Sequence, residues 1–153
     1  MPRNTGAYAG SHSATFLIEV EGIEIGRFSE ITGLSAEVKV EEISEGGQNA
    51  FTHKLPGAMS WPNIVLKRGV TSDNTLFDWF AKSSGEKFNQ EGNSLTRRSA
   101  SITLVDPTGT RLRSWTIDGA FPVKWTGPNF SVGSSDMVVE ELEIAHHGFS
   151  VSD

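Results

Sequence analysis

The stretch Arg97–Ile117, RRSASITLVDPTGTRLRSWTI, decides the fold class. Ala100, Ile102 and Leu104 alternate with Ser99, Ser101 and Thr103, the period-two spacing of a strand with one face on a core and the other toward water. Asp106-Pro107-Thr108-Gly109 supplies a turn, since proline presets its backbone angle and glycine accepts a left-handed one. Leu112–Ile117 returns as the partner strand, so the unit reads as an antiparallel hairpin.

Upstream, TFLIEVEGIEIGRF repeats the pattern. Thr15–Val20 and Ile23–Phe28 form two strands joined at Glu21-Gly22, with Phe16, Ile18 and Val20 sharing a face. AEVKVEEI places Ala36, Val38 and Val40 on a core-facing side against Glu37, Lys39 and Glu41, and WPNIVLKRGV supplies another strand through Ile64 and Leu66. A last strand is expected over Met137–His146, with Val138, Leu142 and Ile144 on one face. One helix is expected in SDNTLFDWFAKS, with Leu76 and Phe80 one turn apart, Ser72 or Asp73 as its cap and Gly85 at its end. The expectation is a mainly β fold: an antiparallel sandwich or partial barrel with one inserted helix. AFPVKWTGPNF reads as an apolar, turn-interrupted connection.

At 153 residues the chain is the size of one domain, expected over 16–153 behind a flexible N-terminal arm at 1–15. It has no cysteine, which rules out disulfides and thiolate metal sites. A formal net charge of −6 with scattered basic residues argues against nucleic-acid binding, which needs lysine and arginine gathered on one face.

Catalytic motifs are missing: there is no GxSxG, P-loop, HExxH or GxGxxG. Neighbouring histidines His146 and His147 point to opposite faces of a strand, and Glu143 lies about 13 Å along it from His147, so the three suit a surface strand end better than a metal site. Of the four tryptophans, Trp79 and Trp115 read as core anchors. Trp61 and Trp125, beside proline and glycine, suit burial in a partner subunit equally well.

The segment EEISEGGQNAFTHKLPG, Glu41–Gly57, breaks the pattern, because from Ser44 to Leu55 little apolar spacing remains to bury. A loop of that length usually has a function.

Taken in order, FSEITGLSAEVKVEEISEGG, HKLPG, NIVLKRGVTSDNTLFDWF, SITLVDPTGTRLRSWTIDGAFPVKW and VVEELEIAHHGF resemble the tail tube proteins of contractile-tailed phages and of phage-tail-like contractile injection systems. The resemblance runs from Phe16 to Phe149. It implies a tail-tube-like fold, shared with the tube protein of type six secretion, and a structural, non-enzymatic role without cofactor or metal. Homohexameric rings would stack into a hollow inner tube, with a sheath protein around it, baseplate and cap or terminator proteins at its ends, cargo effector or DNA in its lumen, and no membrane. Such a subunit would assemble in a bacterial cytoplasm.

In that family the segment before K-L-P-G bridges to the next ring, which implies inter-ring contact by Glu42, Ile43, Ser44, Glu45, Gly46, Gly47, Gln48, Asn49, Ala50, Phe51, Thr52 and His53. Phe51, the large apolar side chain of the loop, is the expected anchor. Strands of neighbouring subunits would line the lumen, and Ser99, Ser101 and Thr103 are the candidate lumen-facing residues. Net negative charge would suit a conduit to which acidic cargo must not adhere. The alternatives are a non-enzymatic β-sandwich module binding a ligand or glycan and, further off, a hydrolase with a dispersed site.

Overall fold

The computed structural model describes residues 14–44, 46, 47, 52–83, 98–128, 133 and 138–152. The expected N-terminal arm and the end of the helix at Gly85 lie outside these residues, except that Thr15 already opens the first strand.

The strands are β1 (Thr15–Val20), β2 (Ile23–Phe28), β3 (Glu30–Thr32), β4 (Glu37–Ile43), β5 (His53–Ser60) and β6 (Ile64–Gly69), then β7 (Arg98–Val105), β8 (Arg111–Thr126), β9 (Val139–Ala145) and β10 (Phe149–Ser152). The helix, α1 (Thr75–Ser83), lies between β6 and β7. All pairings are antiparallel. Both expected hairpins form, β1 with β2 and β7 with β8.

The main sheet runs β2-β1-β7-β8-β9-β6-β3, with β10 also on β8. Strand β8 holds it together: its first part pairs with β7 and β10, and Phe121–Thr126 pairs with β9. The expected irregular connection AFPVKWT is therefore strand. A left-handed Gly119, φ 61°, and a register shift at Pro122/Lys124 let the strand bend while it continues.

The sheet then folds over its own apolar face. Ile18, Phe28, Ile64, Leu66, Ile102, Ile117, Leu142 and Ile144 are all at most 1% exposed, and burial of each such side chain contributes about 1.5–3 kcal/mol. Closure is made where β2 meets β6: the Ser29 N–H donates to the Lys67 carbonyl at 3.0 Å, and the Arg68 guanidinium lies 5.4 Å from the Phe28 ring centre. Arg68 also pairs with Glu140 across the β6–β9 register, both side chains being almost fully buried.

Helix α1 covers one end, sending Leu76 and Trp79 into the core. Asp73 provides the cap, accepting the Thr75 N–H at 3.0 Å and the Thr75 hydroxyl at 2.6 Å. These bonds, the hydroxyl first, hold the Asp73 carboxyl below its usual value.

His146 is not at the surface. It is 8% exposed, with Nε2 donating to the Pro62 carbonyl at 2.9 Å and Nδ1 accepting from the Gly148 N–H at 3.0 Å. Trp61 packs edge-on to Phe149 at 5.1 Å and Trp125 to Phe77 at 5.1 Å, so both tryptophans find partners within their own subunit.

Candidate functional site

Strands β4 and β5 form a two-stranded sheet separate from the main one. The two ends of the expected loop, up to Ile43 and from His53, belong to a β-hairpin arm, because HKLPGAMS, with no alternating spacing, pairs as a strand through a bulge between Val38 and Val40. Gly57 allows this close approach, as a Cβ there would sit 2.8 Å from the Lys39 carbonyl.

The arm overturns one expectation. Ala36, Val38 and Val40 do not face a core: every residue of β4 is exposed, Val40 at 54%. On β5, Met59 opposite Val38 is 54% exposed and Leu55 opposite Glu41 is 45% exposed, and Ile43 is 48% exposed near the tip. Five large apolar side chains therefore stand on a sheet that pairs with no third strand among the described residues, although such a hairpin alone is marginal in water.

Of the residues expected to contact a neighbouring ring, Glu42 and Ile43 end β4, His53 opens β5, and Ser44, Gly46, Gly47 and Thr52 belong to the connection. Glu45, Gln48, Asn49, Ala50 and Phe51 lie outside the described residues. Reading the loop alone missed the apolar residues of the arm's stem. Their signal is present in the alternation of Val38 and Val40, which in this subunit meets no core.

The base of the arm is firmly seated. Gly33, at φ 90°, passes so close to Asn63 that a Cβ would lie 2.1 Å from its carbonyl oxygen. On the other side Asn63 donates to Glu143 at 3.0 Å, and Trp61 packs against Gly148.

The outer face of β1-β7-β8 carries the candidate lumen residues. Ser99 is exposed, and Ser101 is half-buried, donating to Glu19 at 3.4 Å. Thr103 departs from the expectation, being 1% exposed with its hydroxyl 3.1 Å from that of Ser114. A side chain sealed inside the subunit cannot line a channel, so the expected row of three accessible hydroxyls is reduced to two. Glu19 also accepts from Arg111 at 3.0 Å, which balances the carboxylate locally.

A cleft of about 300 Å³ opens between α1 and the β1–β2 turn, with Ile23, Ile25 and Trp79 among its apolar lining and Arg98 and Lys82 among its charged residues. Arg98 is paired with Glu21 at 2.8 Å.

A chain of the PVC sheath–tube complex, an extracellular contractile injection system in its extended state, is 27% identical, with a TM-score of 0.73 over 90% of this chain and 87% of that one. A chain of the PVC sheath/tube terminator in the extended state is 26% identical, TM-score 0.76, over 97% and 99%. A chain of the anti-feeding prophage baseplate, 24% identical over 95% and 96% with a TM-score of 0.74, has the same fold. No curated protein sequence matches the chain significantly. The family model for the T4-like virus tail tube protein gp19 matches residues 12–150, nearly the whole chain, and with it the arm, the buried Arg68–Glu140 pair and the core strands. The chain is a member of that tail tube family.

Proposed function

We propose that this chain is the inner-tube subunit of a contractile injection system or phage tail, assembling into stacked homohexameric rings that enclose a conduit for cargo effector or DNA. It performs no catalysis. A sheath surrounds it and baseplate and terminator proteins close its ends, by analogy with the complexes in which its structural relatives occur.

One observation carries the reading: the β4–β5 arm holds five exposed large hydrophobic residues that nothing in the described subunit covers. Such a surface costs solubility unless another chain takes it up. A subunit in a ring meets identical copies above and below, so the arm's complement is supplied by repetition. Among the described residues the antiparallel sheet ends at β2 and β3, with β10 a further edge on β8, and closing edges against neighbours suppresses indiscriminate pairing.

Negative-stain electron microscopy of the purified chain tests this, with rings or tubes with an axial hole expected. The binding-module reading would instead place a ligand in the cleft beside α1 and predicts a monodisperse monomer over a wide concentration range. That result would reject the tube.

A further inference from the structure

We propose that His146 is a positioning residue that couples the arm to the C-terminal strand, so that the direction of the arm and the seating of β10 on β8 change together. The coupling lies within one subunit and goes beyond the tube reading, since it holds whether or not rings form.

The His146 ring is fixed from both sides. A carbonyl only accepts, so the Pro62 oxygen at 2.9 Å requires a proton on Nε2. A backbone N–H only donates, so that of Gly148 at 3.0 Å requires Nδ1 without one. One neutral tautomer satisfies both bonds, and at 8% exposure the ring has little access to water that could replace either.

The two bonds lead to different parts of the chain. Pro62 stands two residues after β5, at the root of the arm, and the adjoining Asn63 is the residue that Gly33 approaches on the arm's other side. Gly148 immediately precedes β10. Its carbonyl accepts from the Asp118 N–H at 2.9 Å, the Asp118 carbonyl accepts from the His147 N–H at 2.9 Å, and Phe149 to Ser152 then pair with Ile117 to Ser114 of β8.

Packing closes the same circuit. The ring centres of Trp61, His146 and Phe149 lie 5.1 to 6.2 Å from one another. Gly148, at φ 132°, passes so near Trp61 that a Cβ would sit 2.9 Å from the indole, so the indole rests on the backbone that leads into β10. A rotation of the arm that displaces Trp61 or Pro62 therefore breaks a buried hydrogen bond or opens a gap against Phe149. Loss of β10 in turn removes the floor under Trp61. Such a linkage is reciprocal: whatever engages the arm and holds its root tightens β10 by the same free energy.

Two amide substitutions separate the bonds. His146→Asn offers an oxygen near the Nδ1 position to Gly148 but does not reach Pro62, whereas His146→Gln offers an N–H toward Pro62 and no acceptor to Gly148. Arm direction is read as the distance distribution between nitroxides on Met59→Cys and Lys82→Cys, both exposed positions in a chain without native cysteine. The seating of β10 is read by amide exchange over 149–152. Each variant alone should broaden the distance distribution and speed β10 exchange by about threefold or more, the equivalent of one lost hydrogen bond. If Asn moved only the arm and Gln only β10, the bonds would be independent and the coupling overturned, as it would be by no effect from either. Protected amides in β6 and β9 show that the body is folded. Should a variant fail that control, Phe149→Leu probes the linkage from the β10 side: a broadened arm distribution is expected, and an unchanged one would overturn the proposal.

Discussion

Arg68 is the side chain on which most elements converge. It pairs with Glu140 on β9, lies over Phe28 on β2 and reaches the Asp73 carbonyl ahead of α1 at 3.4 Å. Removing one member of a buried pair strands the other charge. Arg68→Met should therefore lower unfolding free energy by about 3–5 kcal/mol in denaturant titration, and Arg68→Met with Glu140→Leu should lose much less. Gly33→Ala is expected to cost more than about 1 kcal/mol, because φ is 90° and the added Cβ meets backbone rather than a movable side chain. Asp106 organises the β7–β8 turn by accepting from the Thr108 hydroxyl at 2.7 Å and the Thr110 N–H at 2.8 Å, and these bonds, the hydroxyl first, depress its carboxyl from 3.8. A depressed folded value means that the contribution is complete above 3.8 and is lost as pH falls through the lower, folded value. The stability of the native chain should thus fall more steeply below about pH 4 than that of Asp106→Asn, followed by denaturation at stepped pH.

Among the elements, legibility followed the source of the spacing. Strands β1, β2, β6 and β7 could be read from sequence because each turns an apolar face to this subunit's own core, through Ile18, Phe28, Leu66 and Ile102. The second half of β8 was obscured by Gly119 and Pro122, which punctuate a loop in sequence but a bend in an unbroken strand here. β5 was missed since its register is set by pairing with β4 and not by a buried face. β4 shows the deeper limit: Val38 and Val40 alternate as a half-buried strand should, yet sequence cannot tell burial in one's own core from burial in a neighbour's. The arm's location was legible from the loss of pattern after Ile43, whereas the placing of Met59 opposite Val38 needed the register. A substitution such as Met59→Gln should leave subunit stability within about 0.5 kcal/mol, as for other exposed positions, while weakening assembly. Thermal unfolding of the free subunit and sedimentation of assembled material separate the two effects.

At the scale of the whole molecule, the main sheet has a closed core and the arm has none among the described residues, so the chain divides into a self-sufficient body and a projection that, on the proposed assembly, neighbouring copies would stabilise. On the β1-β7-β8 outer face the Glu19 carboxylate is matched by Arg111. If that face lines the conduit, Arg111→Glu should change cargo release by exposing uncompensated carboxylates, and unchanged release in an ejection assay would place the lumen elsewhere. The division between body and arm is read most directly by amide hydrogen exchange of free subunit against assembled tube. Amides of β4 and β5 should exchange near the unprotected rate in the free subunit and become strongly protected on assembly, while those of β6, β7 and β9 stay protected in both. Equal protection of β4 and β5 in the two states would contradict the claim that this arm is completed by other copies of the chain.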